Sequence, residues 1–443
     1  MENKLGDLSH LFVTVFLSSL CRVMVIPAIT DVTMSALCPG QDECSLAIYL
    51  SGVQQAVVGA GSVVLTPLIG NLSDKYGRKA LLTLPMALSI IPLVTLACSR
   101  TTNFFYAYYV LRTITATVSD GSITCLANAY VADIVSERQR TSAFGVLSGV
   151  VYAAFVFGTL ATRFLSTALT FQFAASASIL GVIYMRIFLK ESLPVGENCL
   201  TEPILKRGQG DTGDAGDLPA KQLELKTIPS LGDLISLLRT SPTFSQAAVV
   251  AFFNGLAVGG AEASLMYFLK ARFHFNKNQY ADLMLIVSVA ATVSQLIFMP
   301  LVAPLLPEEK LLSLGLLVGV TNCLLYSISW SYWVPYAISV LSIFVAFVPP
   351  CLLSIASKQV GPHEQGKAQG CIQGLISLAN IISPLIFSPL TALFLSNEAP
   401  FYFPGFSHLC IGFAMMIAFI QSVMIRTGPC LPSQMTSSNS MLA

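Results

Sequence analysis

The chain has 443 residues, of which 54% are hydrophobic and 11% charged, with a formal net charge of +1 and a mean hydropathy of +0.72. A soluble globular domain carries about 25% charged residues, so this composition excludes a chain that covers its surface with water-facing side chains. The near-neutral charge, with Lys and Arg scattered along the chain, also argues against nucleic-acid binding. The composition indicates an outer wall that faces lipid.

Runs of apolar residues long enough to cross a bilayer, which takes about 20 residues, occur twelve times. They lie at 8–29, 46–69, 80–98, 104–127, 142–162, 166–188, 243–266, 279–301, 311–329, 333–356, 368–390 and 405–425. No small-residue cleavage site follows the first run, so we expect it to stay as a membrane anchor. The sequence therefore predicts an all-α integral membrane fold of twelve transmembrane helices in two six-helix bundles.

A polar stretch separates the two groups of six runs. We predict an N-terminal bundle at 1–190, a cytosolic linker at 191–242, a C-terminal bundle at 243–426 and a cytosolic tail at 427–443. The linker contains G-Q-G-D-T-G-D-A-G-D-L-P, which is too polar to form a core. Residues 231–238 fit a short amphipathic helix, and the letters D-L-I-S-L-L within them also fit an acidic dileucine sorting pattern. Sixteen of the 24 Lys and Arg residues fall on the N-terminal side of the membrane, which predicts cytosolic termini.

Two cysteines, Cys38 and Cys44, stand in the polar loop C-P-G-Q-D-E-C on the expected non-cytosolic side. That face is oxidising, so the two thiols are either disulfide-bonded or at least accessible to reagents there. The sequence shows no metal-ligand spacing and no G-x-S-x-G, H-E-x-x-H or P-loop pattern. We therefore expect no enzyme activity, no metal and no other cofactor.

The loop between the second and third runs reads G-N-L-S-D-K-Y-G-R-K, from Gly70 to Lys79. Gly70 lets the second helix approach a neighbour closely, and Gly77 permits a tight turn. Asp74 can accept hydrogen bonds from the amides at a helix start. Arg78 and Lys79 can hold the loop in the cytosol and pair with acids, although a merely solvated basic loop is the plainer alternative.

This loop resembles the signature of the major facilitator superfamily, G-x-L-[S/A]-D-[R/K]-x-G-R-[R/K], at every specified position. Two further stretches, A-Y-V-A-D-I-V-S-E-R-Q-R (129–140) and G-P-H-E-Q-G-K-A-Q-G (361–370), look like tetracycline–proton antiporters and hippocampus-abundant-transcript-like proteins. Plant members match best, and proton-coupled folate transporters are more distant. The resemblance implies a transporter with a central cavity lined by spans one, four, seven and ten. The residues that would gate its conformational change are Gly70, Asp74, Gly77, Arg78, Lys79, Asp133 and Arg140.

This sequence departs from the antiporter pattern at three places. The fifth run has Gly145, Gly149 and Gly158 but no proline, and R-x-x-x-G in the fourth run becomes Arg112 to Ala116. The loop after the eighth run, P-L-L-P-E-E-K, lacks a second copy of the signature. Antiport, symport and facilitated diffusion therefore all stay open.

Polar side chains at membrane depth are costly there and are functional candidates by default. At a rise of about 1.5 Å per residue, Arg22, Gln54, Gln55 and Arg112 come to one layer, and with Asn254 they form the candidate substrate-binding set. Two buried guanidiniums need anions. These are either a carboxylate or phosphate of the substrate, or else acids and carbonyl groups of the protein.

Asp120 and Glu262 are the candidate proton-coupling groups. Asp120 comes eight residues after Arg112 and about 12 Å deeper, and it is either a coupling group or a structural partner. Glu262, in the outer third of the seventh run, is either a proton carrier or an acid at the interface. Asn254 either holds helices together or contacts the ligand. The pair Pro349-Pro350 predicts a bend in the tenth run.

These features together predict a secondary active transporter that moves a small organic solute by alternating access, coupled to protons. The solute carries an anionic group if the arginines bind it. A transporter-like receptor or sensor, and an uncoupled facilitator, are the alternatives. We expect a monomer in the plasma membrane or in an endomembrane of vacuolar or lysosomal type. Its partners would be the solute, protons and the bilayer, with no nucleic acid.

Overall fold

The computed structural model describes residues 2–37, 45–193, 238–239, 241–396 and 399–425. The predictions for Cys38, Cys44, most of the linker and the tail fall outside these residues and stay predictions. The described residues are helical throughout, apart from short turns, and they include no strand. This is the expected result in lipid, because a spanning backbone has to satisfy its hydrogen-bonding groups within its own helix.

The α-helices form a simple succession along the chain. In order they are α1 (Glu2–Leu37), α2 (Ser45–Tyr76), α3 (Arg78–Cys98), α4 (Thr102–Ser119), α5 (Ser122–Ile134), α6 (Arg140–Thr162), α7 (Thr167–Phe188), α8 (Pro242–Phe273), α9 (Lys277–Val293), α10 (Met299–Val302), α11 (Glu308–Ser327), α12 (Val334–Val340), α13 (Ser342–Val345), α14 (Val348–Lys358), α15 (Gln365–Leu395) and α16 (Phe406–Met424). Across the described ranges, eleven helical stretches are long and apolar enough to cross a membrane.

The fourth span corrects the prediction of one helix at 104–127. It consists of α4 and α5, separated by Asp120 and Gly121. Asp120 has extended backbone with ψ of 123°, and Gly121 has φ of 88°, a conformation that glycine adopts freely. Because of this break the stretch is not among the eleven long apolar helices. With α4 and α5 taken together, the described residues contain the twelve predicted spans.

The tenth span, where the pair Pro349-Pro350 predicts a bend, is interrupted at Leu341 and again at Ala346 and Phe347, just before the prolines. Three short helices, α12 to α14, make up this span. Pro350 has no N–H group for the carbonyl of Ala346, four residues earlier. The helical turn is tighter there, since the N–H of Phe347 donates to the carbonyl oxygen of Phe344, three residues earlier, at 3.1 Å.

The eighth span contains a π-helical turn at Ser294–Phe298, between α9 and α10, which the simple run at 279–301 does not predict. The side chains of Ser294 and Gln295 are fully buried. They donate hydrogen bonds to the carbonyl oxygens of Ile343 and Ala346 in the tenth span. Those carbonyls lie at the interruption, so the π turn satisfies backbone groups that the broken helix leaves open.

Two compact units divide the chain. The first comprises Met1–Val135, Ala153–Leu237 and His363–Ser377. The second comprises Ser136–Tyr152, Leu238–Pro362 and Leu378–Ala443. In the core of the first unit lie Phe105 and Phe171, and in that of the second lie Phe268 and Tyr326. The predicted bundle boundaries around the linker stay predictions.

Candidate functional site

Arg78 lies at the centre of a buried charge network in the signature loop. It is the first residue of α3, and none of its surface is exposed. Its Nε donates to Asp133 Oδ2 at 2.9 Å, its Nη2 to Asp74 Oδ1 at 2.5 Å and its Nη1 to Ser73 Oγ at 2.5 Å. One guanidinium thus connects α2, α3 and α5. A merely solvated basic loop does not describe this arrangement.

Two carboxylates of this network cap helix starts. Asp74 accepts hydrogen bonds from the amides of Gly366 at 2.9 Å and Lys367 at 2.8 Å, in the first turn of α15. Glu191 accepts from the amides of Arg78 at 2.6 Å and Lys79 at 3.0 Å, at the start of α3. The first amides of a helix lack partners in the helix and carry its positive dipole end, so both contacts are favourable.

Two glycines of the loop are required by its geometry. A Cβ at Gly70 would collide with the carbonyl oxygen of Gly366, so the two backbones can meet only without a side chain. Gly77 has φ of 95°, and a Cβ there would lie 2.6 Å from a carboxylate oxygen of Glu191. The structure therefore gives both glycines a role that the sequence had assigned to them in outline.

The other expected gating residues occupy different surroundings. The side chain of Asp133 also accepts a hydrogen bond from Ser192 Oγ, and Lys79 takes part through its backbone. Arg140, at the start of α6, donates from Nη1 to the carbonyl oxygen of Ser357 at 3.2 Å. Sequence reasoning missed Glu191, Gly366 and Lys367. The stretch Gly361 to Gly370 had been noticed for its resemblance alone, and nothing in it indicated that its amides would hold Asp74.

Arg112 and Asp120 form an ion pair within the fourth span. Arg112 Nη2 lies 2.9 Å from Asp120 Oδ2, and Nη1 lies 3.4 Å from Oδ1. The two side chains are 25% and 31% exposed. The charged ends meet although eight helical residues correspond to a rise of about 12 Å, because Asp120 leaves the helix and the long side chain of Arg112 reaches toward it.

The remaining groups of the predicted layer are placed differently. Gln54 of α2 donates from Nε2 to the carbonyl oxygen of Tyr109 at 3.3 Å and to Thr113 Oγ1 at 3.1 Å, so it attaches α2 to α4. Gln55 and Arg22 are both exposed. Of the two arginines, Arg112 is paired with Asp120 of its own span.

In the second unit, Glu262 and Asn254 both lie on α8. Glu262 is exposed, and Tyr152 and Tyr280 lie close enough to interact electrostatically with it. Asn254 is half-buried. The structure does not place these two residues in one hydrogen-bonded cluster. Across the described residues, no group of three or more His, Cys, Asp or Glu side chains could hold a metal ion.

The eleven long apolar helices and the broken span within the described residues define a multi-pass integral membrane protein. The family model described as Major Facilitator Superfamily matches residues 11–384 and 247–428, and the chain belongs to that superfamily. The chain is therefore placed in a family of transporters, as the sequence predicts. The solved structure of the human organic anion transporter MFSD10 (TETRAN) has a TM-score of 0.74 at 18% identity, covering 95% of this chain and 99% of that one. This likeness confirms the predicted fold.

Two curated proteins illustrate the distance to known relatives. The human Hippocampus abundant transcript 1 protein is 23% identical over 351 residues, which cover 78% of this chain and 66% of that protein. This chain thus spans slightly less than two thirds of that relative's length. The Tetracycline resistance protein, class H, of Pasteurella multocida is 24% identical over 350 residues, covering 78% and 80%. The distant kinship predicted with these two groups is confirmed.

Proposed function

We propose that this transporter moves a small organic solute with an anionic group by alternating access, and that protons drive it. The ion pair of Arg112 and Asp120 carries this proposal. It brings a guanidinium and a carboxyl group together within the fourth span. Ionisable groups at membrane depth are costly, and in transporters they mark substrate and proton pathways.

The anionic group of the solute follows from the cations available to it. Arg112 presents a planar fork that fits two oxygens of a carboxylate or phosphate. Arg22, exposed on α1, is a second cation of the same unit, and Gln54 and Gln55 on α2 are polar groups of that unit. One solved structure with this fold is described as an organic anion transporter, and one relative by tetracycline resistance. These names support an organic solute.

We propose coupling to protons because two carboxyl groups, Asp120 and Glu262, lie in predicted spans of a chain whose sequence has no nucleotide-binding motif. A gradient then has to supply the work, and each proton provides about 1.4 kcal/mol per pH unit. Asp120 and Glu262 are the carboxyl groups placed to carry the proton. Loading of the proton at Asp120, nearer the cytosol, suits exchange, whereas loading at Glu262 suits uptake of the solute with a proton.

We further propose two six-helix bundles, cytosolic termini, a monomer, and kinship with plant members and, more remotely, folate transporters.

Flux measurements in proteoliposomes test the proposal. Organic anions that raise the melting temperature of the purified protein are first selected, because a ligand of the folded state stabilises it by mass action. Labelled ligand is then followed under a pH gradient and in counterflow. We expect Asp120→Asn or Glu262→Gln to lose pH-driven flux and keep counterflow, with Asp7→Asn as the matched surface control.

The outcomes separate the rival functions. If both variants keep full pH-driven flux, coupling through these carboxyl groups is wrong and a facilitator is the better description. If ligands bind but wild-type vesicles show no counterflow, the protein acts as a receptor or sensor.

A further inference from the structure

The break at Asp120 and Gly121 interrupts the backbone hydrogen bonding within the fourth span of the first unit. Helix α5 starts at Ser122, directly after Gly121, and no side chain caps its start. The amide of Cys125 bonds to the carbonyl oxygen of Gly121 at 2.8 Å, so the amides before Cys125 point out of the helix end. In transporters with interrupted helices, such starts face the anionic groups of substrates, because the positive end of the dipole lies there.

Two buried hydroxyl groups at this break have no partner. Thr66 of α2 and Ser122 of α5 are both fully buried, and neither Oγ atom makes a hydrogen bond within the described residues. A Cβ at Gly121 would lie 3.0 Å from Thr66 Oγ1, which places that hydroxyl group directly against the break. Buried polar atoms are nearly always paired, so two unpaired hydroxyls beside an uncapped helix start indicate a missing acceptor.

The carboxylate of Asp120 already shows where such an acceptor can bind. Asp120 stands at the end of α4, one residue before Gly121, and both its oxygens face the guanidinium of Arg112. Ser62 Oγ donates to the carbonyl oxygen of Asp120 at 3.2 Å, a contact that the backbone of Asp120 makes independently of its side chain. The pair is about one quarter to one third exposed, so a solute can reach it.

We propose that this break is a binding site for the carboxylate of a solute, which takes the place of Asp120 on Arg112. The hydroxyl groups of Thr66 and Ser122 and the start of α5 complete the site. A single guanidinium fork fits the two oxygens of a carboxylate, and it balances one negative charge. This inference rests on the proposed function and names its substrate class.

The exchange of carboxylates has a fixed proton balance. When the solute occupies Arg112, an ionised Asp120 would stand unpaired beside another anion, which is costly at this depth. Asp120 therefore takes up one proton as the solute binds and returns it when the solute leaves. Arg112 and Tyr108, both on α4, are the charged and titratable groups that the described structure places against Asp120. From α2 and α15 the break meets uncharged Ser62, Thr66 and Gln373.

Equilibrium binding of benzoate to the purified full-length protein tests this site, with benzamide as the uncharged probe of the same shape. Benzoate stays ionised between about pH 6 and about pH 8, since a carboxyl group ordinarily titrates near pH 4. We expect calorimetry in two buffers to show uptake of about one proton per benzoate, and the dissociation constant to rise about tenfold per pH unit. Benzamide should not bind.

Variants locate the effect. Asp120→Asn should bind benzoate more tightly than the wild type at the upper pH and lose the pH dependence, because the competing carboxylate is gone. Arg112→Gln should not bind. Thr66→Val and Ser122→Ala should each weaken binding several-fold, at about 1 kcal/mol per lost hydrogen bond. Asp7→Asn, which alters a partly exposed ion pair with Lys190 away from the break, should behave as the wild type.

Three results would overturn the site. These are equal benzoate binding by Arg112→Gln, an unchanged pH dependence in Asp120→Asn, and no benzoate binding by any folded variant. The readout is independent of transport. If the variants change benzoate binding as expected but wild-type vesicles show no flux, the proposed transport is rejected and the site is kept. If vesicles show flux but Arg112→Gln binds benzoate as the wild type does, the site is rejected and the proposed transport is kept.

Discussion

The ends of spans three and four and the ends of spans nine and ten carry similar ion pairs with opposite polarity. Arg78, the first residue of α3, meets Asp133 near the end of α5, whereas Glu308, the first residue of α11, meets Lys358, the last residue of α14. In the first pair the side chains are 1% and 4% exposed, and in the second Lys358 and Glu308 are 22% and 15% exposed. Arg78 also holds Asp74.

The difference shows what burial and donor geometry do to the same kind of contact. A guanidinium has five donors in a rigid fork and can serve several acceptors, whereas an ammonium is a compact, strongly hydrated charge. Removing one member of a buried network leaves the other charges unpaired and costs several kcal/mol. A partly exposed single pair is worth about 1 kcal/mol or less. The Arg78 network therefore holds three helices together, whereas the pair of Glu308 and Lys358 is a weak contact between two helices.

The largest expected effect follows from removing Arg78. In Arg78→Gln, Asp74 and Asp133 lose their cation in a buried position, so unfolding should become easier by about 3–5 kcal/mol. Thermal unfolding of the purified protein in detergent measures this change. Arg78→Lys is the matched control, and it should be intermediate because it keeps the charge and loses the fork. A loss below about 1 kcal/mol for Arg78→Gln would contradict a buried network.

Transport should be the property most sensitive to Asp74 and Gly77. Asp74→Asn weakens the capping of α15, and Gly77→Val forces a branched side chain into a positive φ beside Glu191. We expect both to slow flux about tenfold, equivalent to about 1.4 kcal/mol, while ligand affinity measured on the same folded protein changes little. Equal losses of affinity and flux would show that this loop takes part in recognition.

A charge exchange distinguishes the pair of Glu308 and Lys358 from the Arg78 network. Lys358→Gln should cost about 1 kcal/mol, and the double variant Glu308→Lys with Lys358→Glu should recover part of that loss, because the pair is restored while each charge lies at the unfavourable end of its helix. The corresponding exchange of Arg78 and Asp133 should not recover, because Asp74 would then face a second carboxylate. Melting temperatures of the single and double variants compare the two. Recovery in both regions would mean that their burial makes no difference.

The smallest expected effect concerns the helix start beside Arg78. Glu191→Gln removes the charge that caps α3 and should cost about 0.5–1 kcal/mol, with the loss decreasing at high salt. Glu309→Gln in the first turn of α11 is the matched control and should cost less, since the pair of Glu308 and Lys358 remains. Melting curves at low and high salt would show the difference. An unchanged curve for Glu191→Gln would show that the cap contributes no stability.

The fold could be predicted from sequence far better than the contacts of the site. Twelve apolar runs predict twelve spans because lipid imposes one length and one kind of backbone. The signature loop predicted that Asp74 caps a helix start, because a carboxylate accepts hydrogen bonds from free amides whichever helix supplies them. Which helix it caps was not predictable, because Gly366 comes 292 residues later and its amide is the same as any other.

The breaks within spans were hidden for a different reason. An apolar run looks the same whether its helix is continuous or interrupted, so Gly121 gave no sign of its positive φ. The meeting of Arg112 and Asp120 depends on that break, since eight residues of continuous helix separate two Cα atoms by about 12 Å. Only the proline pair in the tenth span signalled an irregularity in advance, because proline removes a donor whatever surrounds it.

The π turn at Ser294–Phe298 affects how relatives can be compared with this chain. It holds one residue more than an α-helical turn, so every later residue of the eighth span is rotated by about 100° relative to a regular helix. A relative without that residue would need a one-residue gap here for its side chains to face the same neighbours. For such a relative, the residues of this span beyond 298 would match only after that gap has been placed.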